Sequence, residues 1–413
     1  MPESSKRLSQ LTVALVAASV LLRIVLVPFF GFKDDLNAYE IWTKVLAAHG
    51  PAHIYDRSVF PAVDYPPGYL YVLWAVGSLR EALGATSVVA FRILLKIPDV
   101  AADLVLGALT FVLARRWLDR ARALAVTAIM LLAPVAWLDS AFWGQSDVIP
   151  AALLFGTVLL ALERRFFWSW FLLALALLIK PQGILIVPLL LLWHAARGGR
   201  LGSLAGAALA GTTVAYLITL PFTTARAPFA VLRFLFDRYT VGVEKIPFTS
   251  EGAFNVYTIT RGIYQSDASL AFGIPLHTWS LLFVGAALAA IAIAFGLALR
   301  SGVAGAPAER LLVYAVSLTF AAFFVFGSRM HERYLLPSLA FGTLLAFDGA
   351  LPALAVGTLT FSFAVNCAFI LKGFTTGAHH PQTLVAAHAF ALLNLVVLAV
   401  WAEGYRRRCL ARA

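Results

Sequence analysis

Short polar clusters interrupt long apolar runs in this chain, and they hold the residues able to do chemistry. The first is Lys33-Asp34-Asp35-Leu36-Asn37. Asp35 can cap a helix over 36–49, or stand at a membrane edge as general base for a hydroxyl or as a metal ligand. The second, Asp64-Tyr65-Pro66-Pro67-Gly68-Tyr69, reads as a turn with proline at the first helical position, or as a wall of a site. The third runs from Asp139 to Phe142-Trp143-Gly144-Gln145-Ser146-Asp147. Ser146 or Asp147 can cap the helix that follows. Trp143 and Gln145 beside a carboxylate also suit a sugar, through ring stacking and hydroxyl hydrogen bonds.

Two clusters carry cations. Lys180, in Lys180-Pro181-Gln182-Gly183, either snorkels out of the apolar layer or meets a phosphate. The run Ser328-Arg329-Met330-His331-Glu332-Arg333-Tyr334 packs ionisable groups between two apolar stretches. Arg329 and Arg333 are four apart, so on a helical turn they share a face. With His331 they would clamp a phosphate or pyrophosphate. His331-Glu332 is not a zinc motif, since no H-E-x-x-H follows. His379-His380 lacks matching ligands and reads as a solvated pair.

The elements that must position these residues are membrane helices. Of 413 residues, 61% are hydrophobic and 13% charged. A soluble domain is roughly 45–50% apolar and about 25% charged, and no soluble fold could cover that excess. Soluble enzyme, nucleic-acid binder and disordered chain are excluded. The fold class expected is all-α, a polytopic transmembrane helical bundle. A span needs about 20 apolar residues. Candidates fall at about 9–30, 66–80, 89–113, 121–141, 147–162, 166–180, 183–196, 201–220, 278–299, 310–327, 333–348, 350–371 and 383–402.

The net charge of +11 tests the topology. Lys6/Arg7, Arg115/Arg116/Arg120/Arg122, Arg164/Arg165, Arg197/Arg200, Arg300/Arg310 and Arg406/Arg407/Arg408 should all be cytoplasmic. That parity fails if both 66–80 and 89–113 cross. The run 66–80 starts Pro66-Pro67-Gly68 and carries Tyr65, Tyr69, Tyr71 and Trp74, residues of the headgroup zone. We read it as an interfacial helix on the outer face, leaving about twelve spans and both termini inside. Nearly all the excess positive charge then reports topology, not an anionic partner. Leu11–Phe30 is too long for a signal-peptide core and no A-x-A site follows, so it is expected as a retained first span.

The resulting division is 1–30, first span; 31–88, outer-face loop with interfacial helices; 89–220, membrane helices; 221–277, a long outer-face loop; 278–413, further membrane helices and a basic cytoplasmic tail. The long loop mixes Arg226, Arg233, Arg238, Glu244, Lys245 and Glu251 with aromatics, enough to contact an acceptor. Cys367 and Cys409 build neither a disulfide framework nor a thiolate site. Inside one span, Arg92, Lys96, Asp99 and Asp103 form a polar stripe that either packs against other helices or touches the first outer loop.

At these residues the chain resembles the GT-C glycosyltransferases, integral-membrane enzymes using polyprenyl-phosphate sugars. It is most similar in pattern to the dolichyl-phosphate-glucose-dependent glucosyltransferases of lipid-linked oligosaccharide assembly. Their D-x-x-A-x-x-x-W stretch is matched by Asp35, Ala38 and Trp42, and their D-Y-P-P turn by Asp64 to Pro67. Their Phe/Gln-rich turn is matched loosely by Phe142 to Gln145, where Trp143-Gly144 departs from it. A Lys-starting turn is matched by Lys180, and a late H-E-[KR] motif by His331-Glu332-Arg333. The resemblance runs over about 30–335 in the same order; the last two spans have no motif to compare. The short loops resemble prokaryotic members, which implies a carrier such as undecaprenyl phosphate.

That resemblance implies Asp35 as catalytic base. It implies His331, Arg333 and Lys180 as donor-phosphate ligands, with Arg329 added from spacing. Asp34, Asp64, Tyr65, Trp143, Gln145, Asp147 and Glu332 are then substrate contacts. It implies a polyprenyl-phosphate-linked sugar donor and an acceptor that is a lipid-linked glycan, glycolipid or protein. It places the enzyme in the inner or plasma membrane with its site on the outer face. No cofactor and no metal ligand set is expected, and the Asp34-Asp35 pair leaves metal dependence open. The alternative from another class is a lipid-linked sugar flippase or other transporter, against which stand the lack of a clear repeat and the gathering of charges at one face.

Overall fold

The computed structural model describes residues 3–56, 58–59, 61–244, 247–376 and 381–410. Lys245 and the His379-His380 pair lie outside the described residues. Among the described residues, seven helices are long and apolar enough to cross a membrane: Val88–Ala114, Arg120–Trp143, Leu201–Phe222, Leu276–Arg300, Gly305–Phe326, Ala350–Gly373 and Val385–Leu410. Shorter apolar helices cover Gln10–Leu26, Val148–Leu162, Phe166–Ile179 and Pro181–Ala196. The chain is a polytopic bundle of membrane helices. Residues 333–348, read from sequence as a span, form a 3-10 turn Glu332–Leu335 and the eight-residue helix Leu336–Thr343. Eight residues rise about 12 Å, well short of the roughly 30 Å hydrocarbon core.

The chain folds as two compact units. The first comprises Met1–Leu160, Arg165–Gly183 and Leu201–Gly242. It holds α1 (Glu3–Leu26), α2 (Lys33–His49), α3 (Pro67–Ala82), α4 (Val88–Ala114), α5 (Arg120–Leu132), α6 (Pro134–Trp137), most of α7 (Val148–Leu162) and α8 (Phe166–Ile179). The second comprises Ala161–Arg164, Ile184–Arg200 and Val243–Ala413. It holds α9 (Val187–Ala196), while α10 (Leu201–Thr219) and nearly all of α11 (Pro228–Glu244) return to the first unit. It continues with α12 (Val256–Thr260), the hairpin β1 (Leu270–Ala271) and β2 (Ile274–Pro275), α13 (Leu276–Arg300), α14 (Gly305–Phe326), α15 (Leu336–Thr343), α16 (Ala350–Thr376) and α17 (Pro381–Leu410).

In the first unit α2 and α3 pack face to face. Their core is aromatic: Tyr39, Trp42 and Tyr69 with Leu70, Leu73 and Phe91 are all buried. Proline at the start of α3 costs nothing, because the first helical amide has no intrahelical acceptor. At sixteen residues α3 rises about 24 Å, which keeps it below the length of a span. In the second unit α14 is buried almost all round, as expected of a helix apolar on every face. It contacts α9, α13, α15 and α17.

The polar stripe of α4 is packed, and each member has its own position. Arg92 donates to Glu40 (2.6 Å) and Asn37 (2.7 Å) of α2, so the stripe also touches the first loop region. Asp103 accepts from Arg23 of α1 (2.7 Å) and from Ser140 (2.9 Å), and Arg23 and Asp103 are both essentially inaccessible. Removing one partner of such a pair would leave a bare charge in an apolar layer, a penalty of roughly 3–5 kcal/mol. Pairing, not solvent, therefore keeps Arg92 and Asp103 in the helix, whereas neither carboxylate oxygen of the buried Asp99 has a hydrogen-bond partner among the described residues.

Candidate functional site

The first unit gathers one half of the sequence-derived residues. The helix α2 starts at Lys33 with Phe32 at its N-cap and no side-chain cap bond. Asp34 and Asp35 thus sit inside the first turn, and Asp35 is not the cap that a helix over 36–49 would have made it. Carboxylates there face the positive end of the helix dipole. Asp34 is exposed and Asp35 half-buried. Asp35 Oδ2 accepts a hydrogen bond from Trp143 Nε1 at 2.9 Å.

Trp143 reaches Asp35 because the chain breaks the regular helix before it. After α6 the residues Leu138–Trp143 form a π-helical turn, closed by Gly144 at φ 86°. The Asp139 carbonyl accepts from both Gly144 N–H (3.0 Å) and Gln145 N–H (2.9 Å). Such π segments alter the side-chain register of a helix end and often mark functional places. Gly144 is required twice over: by its left-handed φ, and because a Cβ there would lie 2.8 Å from Leu36 Cδ2 and 3.0 Å from Lys96 Cε. Both features account for glycine at position 144.

The expected sugar contacts Trp143 and Gln145 are committed elsewhere. The Trp143 ring is about 1% exposed and stacks on Phe32, with centroids 4.9 Å apart and planes at 23°. Gln145 is equally buried. Its Oε1 lies 2.9 Å from the Tyr39 hydroxyl and 3.0 Å from that of Tyr65, and the two hydroxyls are 2.7 Å apart. Each phenol carries one proton, so two of these three contacts are hydrogen bonds at a time. Burial, reinforced by Tyr65, Tyr69 and the Asp35 charge, pushes the Tyr39 hydroxyl well above the ordinary phenol range and keeps it neutral.

Lys180 does not snorkel. It is buried, donates to Asp147 Oδ1 at 2.6 Å and lies 5.3 Å above the Tyr65 ring. Asp147 is thereby the counter-ion of the lysine. Asp64 and Tyr65 are half-buried, and the Tyr65 carbonyl accepts from the Tyr55 hydroxyl at 2.8 Å. Trp42 of the D-x-x-A-x-x-x-W stretch is a core residue, its indole N–H bound to the Pro61 carbonyl at 2.8 Å.

The second unit gathers the other half. Residues between α14 and the 3-10 turn form an irregular bend, not a helix, so Arg329 and Arg333 do not share a helical face as their spacing predicted. Arg329 takes φ 61°, unusual for a side-chain-bearing residue. Its N–H is bound to the Phe248 carbonyl (2.9 Å) and its Nε to Asp267 Oδ2 (2.6 Å). Arg333 Nη1 donates to the neighbouring Glu332 Oε1 at 2.8 Å, with both side chains buried. His331 is half-buried, its ring edge-on to Tyr334 with centroids 5.1 Å apart, and its backbone bridges Glu251 and Gly252. Burial, aided by the Glu332 and Glu251 charges, raises the Tyr264 phenol above its ordinary range.

Sequence reasoning missed the residues that hold this turn. Asn366 of α16 accepts from Phe254 N–H (2.9 Å) and donates to the Gly252 carbonyl (2.6 Å). Asn394 of α17 donates to the Phe254 carbonyl (2.9 Å), and Asn255 donates to the Gly327 carbonyl (2.9 Å). The signal was present, since buried carboxamides inside apolar spans are rare and need partners. Among the described residues, no group of three or more His, Cys, Asp or Glu side chains converges to hold a metal ion.

The fold is similar to a crystal structure of the Archaeoglobus fulgidus oligosaccharyltransferase, there tethered with an acceptor peptide containing the NVT sequon via a disulfide bond. Identity is 16% and the TM-score 0.41, over 97% of this chain and 55% of that one. The chain therefore spans about half the length of that protein. No protein-family profile and no curated protein matches the sequence.

Proposed function

We propose that the protein is a membrane glycosyltransferase of the GT-C type, moving a hexose from a polyprenyl-phosphate sugar to an acceptor hydroxyl on the outer face. The observation that carries this reading is the half-buried Asp35 carboxylate at the start of α2, oriented by the Trp143 indole. A carboxylate held by one donor on one oxygen keeps lone pairs for a proton acceptor role. In the proposed reaction the acceptor oxygen attacks the anomeric carbon while its proton passes to Asp35. The bond from that carbon to the phosphate oxygen breaks, and polyprenyl phosphate leaves with inversion. His331, Arg333 and Lys180 are the proposed ligands of the leaving phosphate. Lys180 and Arg333 already hold carboxylates, so phosphate binding on them is an exchange of anionic partners. Asp34, Asp64, Tyr65 and Glu332 remain proposed substrate contacts, and the carrier proposed is a prokaryotic polyprenol.

The transporter reading drew on the charged stripe of α4. With Arg92, Lys96 and Asp103 each held by neighbouring helices or backbone, three of the four members of that stripe are accounted for by packing. The test incubates purified protein with short-chain polyprenyl-phosphate hexoses and a membrane-lipid extract, and follows release of free polyprenyl phosphate. Asp35→Asn should lower turnover by about 100-fold or more while donor binding is kept. Unchanged turnover would remove Asp35 from the role of base, and uptake of lipid-linked sugar into proteoliposomes without bond cleavage would favour the transporter.

A further inference from the structure

The geometry points to Lys96 as a positioning residue for Asp35, acting through the Trp143 turn. This rests on the proposed role of Asp35. Lys96 belongs to α4 and is completely buried, a setting in which an ammonium ordinarily pairs with a carboxylate. Instead, Nζ donates toward the carbonyls of Val27 (3.2 Å), Phe29 (2.8 Å), Ala141 (3.0 Å) and Phe142 (2.9 Å).

These carbonyls come from two helix ends. Val27 and Phe29 follow the C-terminus of α1, and Ala141 and Phe142 close the π turn. The last carbonyls of a helix lack intrahelical donors and carry the negative end of its dipole. Two such ends facing each other in an apolar layer would repel and stay unsatisfied. One buried ammonium satisfies both, which a neutral side chain with fewer donors could not do.

What the ammonium ties together is the support of Asp35. Downstream of Phe29, Gly31 passes so close to the turn that a Cβ would lie 2.3 Å from the Trp143 carbonyl. Phe32 N–H then bonds that carbonyl at 3.3 Å, the Phe32 ring stacks on Trp143, and Trp143 Nε1 reaches Asp35. On the other side, the methylene stem of Lys96 packs under Gly144. Release of the carbonyls would free both segments at once, and the indole would no longer aim one carboxylate oxygen.

The test compares wild-type protein with Lys96→Met, Trp143→Phe and the double variant. Hydrogen exchange of amides over 29–36 and 141–146 should rise about tenfold in Lys96→Met, with the second unit unchanged. In the transfer assay kcat should fall about 100-fold while KM for the donor stays within about twofold. The double variant should fall no further than the worse single variant, as expected for residues acting in one chain of contacts. Unchanged exchange in those two segments, or a double-variant loss equal to the product of the single losses, would overturn the assignment. If Lys96→Met does not fold, Lys96→Gln, which keeps two donors without the charge, is read by the same criteria. Absence of any transfer by wild-type protein would sink the proposed function, whereas the exchange arm would still decide the role of Lys96.

Discussion

Asp35 owes its setting to a glycine and an indole more than to its own neighbours. Gly144 lets the π turn fold back at φ 86°, with Leu36 and Lys96 occupying the space that a Cβ would need. A methyl group there meets both a left-handed backbone penalty of about 1–2 kcal/mol and an overpacking penalty of roughly 1–3 kcal/mol. Gly144→Ala should therefore lower the apparent Tm in detergent and reduce transfer activity together. Thermal unfolding followed by size-exclusion chromatography checks it. An unchanged Tm would mean that the turn can open without cost and that Trp143 is not fixed by it.

At the scale of elements, α16 and α17 act as a frame for a loop that carries His331. Asn366 and Asn394 each place a carboxamide in an apolar span to receive backbone groups of Gly252 and Phe254. The Glu251-Gly252 backbone in turn pairs with His331. Asn366→Leu removes both partners of a buried amide and a buried carbonyl, and each orphaned group costs about 1–3 kcal/mol. The variant should lose stability and, in binding assays, weaken the affinity for polyprenyl phosphate. Titration by intrinsic fluorescence would measure it. Full affinity with lowered stability would separate the frame from phosphate recognition.

For the whole molecule, the arginine clusters make a statement about orientation that cysteine labelling can answer. With Cys367 and Cys409 replaced, Lys33→Cys should react with a membrane-impermeant maleimide in intact spheroplasts, since it precedes the proposed outer-face helix α2. Arg120→Cys should react only after the membrane is opened, because positive residues flanking spans stay cytoplasmic. Both positions are exposed in the structure. Labelling in the reverse order would invert the topology and put Asp35 on the cytoplasmic side, where a different donor pool is met.

Composition and run length alone determined that this is a polytopic helical membrane protein, because hydrocarbon thickness and backbone satisfaction leave few alternatives. The chain also displayed the residues proposed here for its chemistry: Asp35, Lys180 and His331-Glu332-Arg333 interrupt apolar runs where charge is costly. It did not display who holds whom. The spacing of Arg329 and Arg333 promised a shared helical face, yet the chain bends at Arg329 and each guanidinium has its own carboxylate. Trp143 and Gln145 looked like sugar contacts, and their rings and amides are instead bound to Asp35, Tyr39 and Tyr65. Lys96 looked like part of a stripe and is a clamp on two helix ends. Period and spacing report one element at a time, whereas these partners lie many residues apart and meet only when helix ends converge. That convergence depends on a π turn and two glycines, and only the tertiary structure decides it.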